Sequence, residues 1–236
     1  MLRAIFLSLL TGAVLSTFGY DGYGQKAVNK FPRAIERSGD AARIISLLSN
    51  AESGLPKELI DQAKAIGVFP KVTKETSMFT QVTQGFGVIS ARLETGWTAP
   101  AFYAFGGGGY GKPFARTEMS ALILLWVAAF EKGRVQLSGE KKGVAGAVGT
   151  ITEEQRKELA GAQVVAYSYY NGKLSGTVFQ KSFWKSFALN PDNKINNPLY
   201  HMKGREVLAG KKIDEGSLPS GILAFQEALK KHWPAR

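Results

Sequence analysis

The stretch GFGVISARLETGWTAPAFYAF, residues 85–105, decides the fold class of this chain. Apolar residues alternate with polar or small ones on both sides of residues 94–96, and a period of two is typical of strands. The charged and small residues at 94–96 supply turn chemistry between the two runs. The stretch therefore predicts a β-hairpin in the middle of the chain.

Further strand patterns follow this hairpin. MSALILLWVAAF, residues 119–130, predicts a buried strand that runs into a helical turn, and VQLSGEKKGVAGAVG, residues 135–149, predicts two strands around a charged turn. In AYSYYNGKLSGTVFQ, residues 166–180, Asn171 and Gly172 separate two alternating runs, which is a strong hairpin signal. The central part of the chain is therefore predicted to be a mainly antiparallel sheet.

Helical patterns lie mostly near the two ends. KAVNKFPRAIERSGDAARIISLLSN, residues 26–50, has a proline suited to a first turn and apolar residues at helical spacing, with Ser38 the one polar member of that stripe. Two arrangements suit this amphipathic helix. It lies on a membrane surface, or its apolar stripe packs on the domain and its basic face is exposed to solvent. SGLPKELIDQAKAIGVFP, residues 53–70, predicts a short helix and then a strand that ends at Pro70.

The C-terminal third completes the predicted architecture. Thr152 and Gln155 form a capping box for a short polar helix. Residues 190–198 are predicted to be a loop, residues 200–210 a helix, and residues 217–233 a closing helix with basic residues in its last turn. The sequence therefore predicts one α+β domain over residues 25–236, with a mainly antiparallel sheet flanked by N-terminal and C-terminal helices.

The first residues predict a targeting segment. One arginine precedes an apolar run that is short for a bilayer span but suits a secretory signal, with small residues before residue 25. We therefore predict a signal peptide over residues 1–24 and export to the periplasm or the exterior, with peripheral attachment to an envelope membrane as one option. An uncleaved anchor and an N-terminal core helix are the alternatives. The chain has no cysteine, which excludes disulfides, thiolate metal sites and cysteine nucleophiles.

The chain is basic, with a formal net charge of +11. Residues 171–236 hold eleven Lys and Arg against five Asp and Glu, so this tail carries more than half of the excess. Basic surfaces attract anionic lipid headgroups, acidic polymers or nucleic acid, and export makes nucleic acid an unexpected partner. The cations expected to meet an anionic membrane are Lys30, Arg33, Arg37, Lys194, Lys203, Arg205, Lys211 and Lys212.

The run GGGGYGKP, residues 106–113, fits two phosphate-binding patterns, G-x-x-x-x-G-K and G-x-G-x-x-G. Pro113 stands where a P-loop needs a Ser or Thr hydroxyl, and the following sequence predicts a strand instead of a helix. A glycine-rich turn between strands is the simpler interpretation. No nucleotide and no other cofactor is expected.

Residues suited to catalysis or metal binding are sparse. His201 and His232 have no Ser or carboxylate partner at a telling spacing, and the acidic pairs at 153–154 and 214–215 are adjacent, so their side chains point apart. The sequence has no cluster of His, Cys or Asp residues that would predict a metal site. The expected class is a binding protein and not an enzyme.

Three segments together resemble a known family, the lipid-binding and actin-patch-associated SYLF domain. They are GVISARLETGWTAPAF, VVAYSYYNGKLSGTVF and NPLYHMKGREVLAGK, and the resemblance covers about residues 30–233. The positions that carry it are Arg92, Trp97, Pro100, Tyr167, Ser168, Gly172, Gly176 and Tyr200. The resemblance implies binding of phosphoinositides or other anionic phospholipids through a basic N-terminal segment, which here holds Lys30, Arg33, Arg37 and Arg43. Actin binding is implied only for eukaryotic members and is not expected of an exported protein.

The aromatic residues leave two interpretations open. The group near the glycine run and the group within KSFWKSF, residues 181–187, suit either interfacial anchors beside cations or core packing. A scaffold of the cell envelope that binds acidic polymers or protein partners remains the alternative to a lipid-binding module, and the sequence leaves the oligomeric state open.

Overall fold

The computed structural model describes residues 31–49, 54–77, 80–110, 116–119, 121–127, 135–136, 143–177 and 187–234. The predicted signal peptide and Lys30 lie outside these residues. The helices are α1 Phe31–Ser49, α2 Lys57–Gln62, α3 Glu153–Leu159, α4 Asn193–Tyr200, α5 Gly204–Leu208 and α6 Ala224–His232, with a 3₁₀ turn at Glu215–Ser217.

The strands make up the centre of the described chain. They are β1 Ala65–Ser77, β2 Thr80–Leu93, β3 Gly96–Trp97, β4 Ala101–Tyr110, β5 Arg116–Met119, β6 Ala121–Trp126, β7 Val135–Gln136, β8 Gly143–Ala145, β9 Val164–Tyr170, β10 Lys173–Gly176 and β11 Ala188–Pro191. The main path of the sheet is β10-β9-β6-β1-β2-β4-β11-β7, and β3, β5 and β8 pair with β2, β1 and β9. Only β8 runs parallel to its neighbour among these described pairs. The predicted α+β class, with helices flanking a mainly antiparallel sheet, is confirmed.

Two predicted local signals are confirmed in detail. Asn171 and Gly172 both have positive φ, 47° and 77°, and they turn β9 into β10 as a two-residue hairpin. The Thr152 side chain accepts a hydrogen bond from the Gln155 amide, and the Gln155 side chain accepts one from the Thr152 amide. The hairpin around residues 94–96 is also present, with β2 pairing both β3 and β4.

The N-terminal helix is packed on the domain through its apolar stripe. Ala34, Ala41, Ile45 and Leu48 are buried, and α1 contacts α6, β1 and β2. Ser38 lies in the middle of this stripe and is fully buried. Its hydroxyl donates to the Ile222 carbonyl at 2.6 Å and accepts from the Phe225 amide at 3.1 Å. The polar member of the stripe therefore joins the first helix to the last one.

Helices α1 and α4 cover the same face of the sheet. Phe86 and Val88 share a face of β2 because they are two residues apart, and Phe102 of β4 lies opposite Val88. The ring of Tyr200 from α4 stacks on Phe102 with centroids 6.4 Å apart, and the Arg37 guanidinium from α1 lies 4.6 Å from the Phe86 centroid. The helical layer therefore packs across the centre of the sheet.

Strand β1 continues past Pro70, so the prediction that it ends there is wrong. Its register with β2 shifts between Val68 and Lys71, which is a β-bulge, and bulges accept a proline that cannot donate to the ladder. Gly87 of β2 faces the bulge, and a Cβ on it would overlap the Val68 carbonyl oxygen. Beyond the bulge, Lys71 pairs with Phe86 and the strand runs on to Ser77.

Three further predictions require correction. Residues 190–198 were expected in a loop, but residues 190–191 end β11 and residues 193–198 belong to α4, where buried Ile195, Leu199 and Tyr200 hold this polar segment on the sheet. Of the helix expected over residues 200–210, only Tyr200, the last residue of α4, and α5 are helical. The glycine run is also not a turn: residues 106–109 pair with residues 81–84 inside the ladder of β4 and β2. Residues 111–113 of that run lie outside the described part of the chain.

Candidate functional site

The candidate site is a groove between α1 and the face of β1 and β2 that this helix covers. Its volume is about 340 Å³. Arg33, Glu36, Arg37 and Asp40 line it from α1, Pro70, Lys71 and Thr73 from β1, and Gln84, Gly85 and Phe86 from β2. We call this feature the α1–β2 groove. Three cations and two carboxylates thus face one cavity.

The bulge in β1 builds the floor of this groove. Because the register shifts before Lys71, the side chains of Lys71 and Thr73 lie beside Phe86 and Gln84 on the same face of the sheet. On α1, the lining residues follow helical spacing next to the buried stripe, so burying that stripe turns the charged flank toward the floor. Both walls are consequences of packing at the centre of the fold.

Arg37 is a fixed part of the groove wall. Its Nη1 lies 3.4 Å from Oδ2 of Asp192, and its guanidinium covers the ring of Phe86. Burial lowers the pKa of Arg37, and the charge and hydrogen bond of Asp192 oppose that shift. The side chain therefore orders the groove and ties α1 to the segment before α4.

Arg33 and Lys71 are the accessible cations of the groove. Both side chains are exposed, and within the described residues neither forms an ion pair. Arg43, the other predicted cation of α1, is exposed and lies 3.1 Å from Oδ1 of Asp40. The helix thus presents Arg33 to the groove while Arg43 is partly neutralised by its own neighbour.

One exposed apolar side chain, that of Phe86, lines the groove, and a second, that of Val82, lies further along β2. Phe86 is 45% exposed and Val82 is 48% exposed, and they share one face of β2 because they are four residues apart. The aromatic residues expected near the glycine run behave differently, since Trp97, Phe102, Tyr103 and Phe105 are buried. For these residues the core interpretation is correct. Phe187 stacks on Phe105 with centroids 5.6 Å apart, and residues 181–186 lie outside the described part of the chain.

The predicted basic residues of the tail do not join the α1–β2 groove. Lys211 and Lys212 line a second cavity of about 210 Å³ together with Leu93. Leu93 is seven residues from Phe86 along β2, which corresponds to roughly 23 Å at about 3.3 Å per residue. Lys211 is also paired with Glu206, a contact that lowers the pKa of that carboxyl. The exposed cations Lys194, Lys203 and Arg205 lie on or beside α4 and α5.

The residues that carry the resemblance to the SYLF domain mostly form contacts that hold segments of the fold together. Trp97 is buried and covered by the Arg92 guanidinium at 4.5 Å, and the Tyr200 hydroxyl donates to the Pro100 carbonyl at 2.7 Å. Burial raises the pKa of the Tyr200 hydroxyl. The remaining motif positions lie in and around the β9–β10 hairpin: Tyr167 donates to the Ala147 carbonyl, Ser168 contacts Ser175, Gly172 has positive φ, and Gly176 is packed against Gly146.

A larger cavity of about 460 Å³ lies where α1, α2 and the C-terminal residues meet. Its charged groups already have partners: Lys57 lies 2.8 Å from Asp61, and Arg92 donates to the Asp61 carbonyl at 2.9 Å. His232 lies 3.3 Å from the hydroxyl of Ser46. This cavity therefore offers fewer accessible charges than the α1–β2 groove.

The described part of the chain contains neither a group of metal ligands nor a membrane-spanning helix. Those residues contain no group of three His, Cys, Asp or Glu side chains that could hold a metal ion. Within the same ranges, no helix combines the length and hydropathy needed to cross a membrane. His201 ends α4 in the left-handed conformation, with φ of 55°.

Sequence reasoning found Arg33 and Arg37 but missed the strand residues opposite them. Lys71 and Thr73 were missed because the predicted strand ends at Pro70, and Gln84 and Phe86 because they join the site only by pairing with that part of β1. The available signal was Pro70 inside one strand and the glycines on either side of Phe86 in the next, since proline and glycine inside a strand indicate a bulge. Comparison with family models, curated proteins and solved structures gives no match for this chain.

Proposed function

We propose that this protein is a non-enzymatic module that binds the surface of membranes containing anionic phospholipid, and that the α1–β2 groove is its binding site. The resemblance to the SYLF domain supports the same class of function. The single observation that carries the proposal is the juxtaposition of the accessible cations Arg33 and Lys71 with the exposed aromatic side chain of Phe86 in one groove.

This combination suits the boundary between water and lipid. Each basic residue near an anionic surface contributes about 1 kcal/mol of attraction, which salt weakens. An exposed aromatic or aliphatic side chain adds binding free energy when it enters the headgroup region. The Arg37 guanidinium lies 4.6 Å from the centroid of Phe86, so the half-exposed ring is held in the groove beside the cations.

The proposal assigns membrane contact to the groove and not to the apolar stripe of α1. Insertion of that stripe would require α1 to leave the sheet and α6, and it would expose the buried Ser38 hydrogen bonds. The charged flank of α1 can meet a membrane without any such change. The basic N-terminal segment thus contributes Arg33 as one wall of a composite site.

The proposed location follows from the N-terminal sequence. An apolar run behind a single arginine supports export, with the protein in the periplasm or outside the cell and peripherally bound to an envelope membrane. In that location the proposed partner is acidic bacterial phospholipid.

Vesicle co-sedimentation tests the proposal. The full-length chain is mixed with phosphatidylcholine vesicles, with and without phosphatidylglycerol, at low and physiological salt. The variant Arg33→Glu/Lys71→Glu reverses both accessible cations, and Lys211→Glu/Lys212→Glu changes the same charge at the second cavity as a matched control. Circular dichroism of each variant checks that the fold is retained.

We expect binding that requires phosphatidylglycerol, falls with salt and is lost in the groove variant but kept in the control. Equal loss in both double variants would indicate attraction by net charge alone and would contradict the groove as the site. Salt-independent binding to neutral vesicles would also contradict it. Absence of vesicle binding, with binding to an acidic envelope polymer, would favour the scaffold alternative.

A further inference from the structure

The charges in the α1–β2 groove also indicate which headgroup it accepts, on the assumption that the groove is the lipid site proposed above. We infer that it takes a headgroup with a single phosphodiester and free hydroxyl groups, of the glycerol type, in preference to headgroups with several phosphates. The inference rests on which lining charges are already paired and which polar groups remain.

Two of the five charged lining residues are already compensated. Arg37 lies 3.4 Å from Asp192, and Asp40 lies 3.1 Å from Arg43. Within the described residues, Arg33, Lys71 and Glu36 form no ion pair. The accessible charge in the groove is therefore two cations against one carboxylate, which matches one negative charge on a ligand.

A headgroup with several phosphates fits this distribution poorly. Each additional phosphate monoester places about 1.5 to 2 negative charges in the same small cavity, where Glu36 repels them. Arg37 would have to exchange Asp192 for the ligand, which would leave the half-buried carboxylate without its partner. The two accessible cations together balance Glu36 and one phosphodiester, so they leave no further positive charge for a second phosphate group.

The remaining polar groups suit hydroxyls. The Glu36 carboxylate is an acceptor at the groove wall, and the hydroxyl of Thr73 and the amide of Gln84 can both donate and accept. The contact between the Thr73 hydroxyl and the Gln84 carbonyl is 3.5 Å long, so the hydroxyl can exchange it for a ligand bond. A glycerol headgroup supplies two hydroxyls beside its phosphate, which matches this set of groups.

The experiment compares vesicles of matched surface charge. One set contains phosphatidylglycerol, a second contains phosphatidylinositol bisphosphate at the lower fraction that gives the same zeta potential, and a third contains phosphatidylserine. Full-length protein, Glu36→Gln and the control Glu227→Gln, which removes an exposed carboxylate on α6, are titrated with each. Soluble glycerophosphoglycerol and inorganic phosphate serve as competitors and distinguish recognition of the headgroup from binding of any phosphate.

We expect the wild type and Glu227→Gln to bind phosphatidylglycerol vesicles most tightly. Glu36→Gln should lower the preference over the bisphosphate vesicles by about fivefold, the effect of roughly one charge near the surface. Glycerophosphoglycerol should displace the protein at a lower concentration than inorganic phosphate. Binding that tracks zeta potential alone, or an unchanged preference in Glu36→Gln, would overturn the inference while leaving anionic lipid binding intact. Failure to bind any vesicle would instead reject the proposed function itself.

Discussion

The indole nitrogen of Trp97 donates a 2.7 Å hydrogen bond to the backbone carbonyl of Trp233, which lies 136 residues further along the chain. This bond joins β3 to the end of α6, and the Arg92 guanidinium covers the other side of the Trp97 ring. The conspicuous tryptophan of the central hairpin therefore closes the domain around its C-terminal helix.

Replacing Trp97 by Phe should lower the free energy of unfolding by about 1–3 kcal/mol, because the Trp233 carbonyl loses its donor and the core loses volume. Urea unfolding followed by circular dichroism measures the change. The control Tyr170→Phe alters a side chain that is 55% exposed, and it should change stability by less than about 0.5 kcal/mol. Equal stabilities for the two variants would show that the indole bond does not stabilise the fold.

Ser38 provides a second test of how the termini are joined. In Ser38→Ala the buried amide of Phe225 loses its acceptor, so we expect a loss of about 1–3 kcal/mol in the free energy of unfolding. Ser49→Ala is a matched control on the same helix, because within the described residues its hydroxyl bonds only to the Ile45 carbonyl one turn earlier. A loss in Ser49→Ala as large as in Ser38→Ala would contradict the role given to the α1–α6 contact.

The sequence was most informative where one short segment contains all the interactions that decide its structure. The Asn171-Gly172 turn and the Thr152–Gln155 capping box depend on neighbouring residues, so both were predicted correctly. The apolar stripe of α1 likewise predicts a buried face, but it does not say against what. Only the packing of α6 and the sheet decides between the core and a membrane.

The α1–β2 groove could be predicted only in part because its walls come from distant segments. Arg33 was found from the charge of a helix, whereas Lys71 reaches the site through a bulge that depends on Gly87 of another strand. The tail cations formed one group in the sequence, yet the turns after α5 place Lys211 and Lys212 at the other end of β2. Basic residues that are close in the sequence of the tail are therefore not all close to one another, or to the groove, in the structure.

Asn196 shows how a polar side chain can determine a helix that composition assigns to a loop. Its amide accepts from the Phe102 nitrogen and donates to the Phe102 carbonyl, both at 2.9 Å. Asn196→Ala should cost about 1–3 kcal/mol of stability, since the buried Phe102 amide loses its acceptor, whereas the Phe102 carbonyl keeps the hydrogen bond from the Asp192 amide. The adjacent Asn197→Ala changes the same residue type at an exposed position and should be nearly neutral in the same denaturation assay. Similar losses for both would indicate a helix-propensity effect instead.

Gly87 tests the bulge that forms the groove floor, and Gly39 in α1 gives the opposite prediction for an added methyl group. An added methyl at Gly87 would overlap the Val68 backbone, so Gly87→Ala should destabilise the protein by about 2 kcal/mol or more. It should also weaken vesicle binding by displacing Lys71. At Gly39, inside α1, the methyl has open space, and Gly39→Ala should raise stability by about 0.5–1 kcal/mol. A neutral Gly87→Ala would mean that the strands can separate at the bulge without cost.

Tyr103 gives a prediction for alkaline pH. Its hydroxyl is buried and, within the described residues, has no hydrogen-bond partner, and burial raises its pKa to about 12. Tyr103→Phe should therefore stabilise the protein by about 1 kcal/mol at neutral pH, because it removes an unpaired polar group from the core.

The advantage of Tyr103→Phe should grow between about pH 10 and pH 12. The unfolded wild type releases the phenolic proton near its ordinary pKa of about 10, whereas the folded protein retains it until about pH 12. The folded state then holds more protons than the unfolded state, so the stability of the wild type falls as pH rises through this window. The variant lacks that loss, although Tyr167 and Tyr200, whose pKa values are also raised by burial, still contribute their own. Chemical denaturation at pH 7, 10 and 11 measures the difference, and a constant difference across these pH values would show that the Tyr103 hydroxyl titrates as in water.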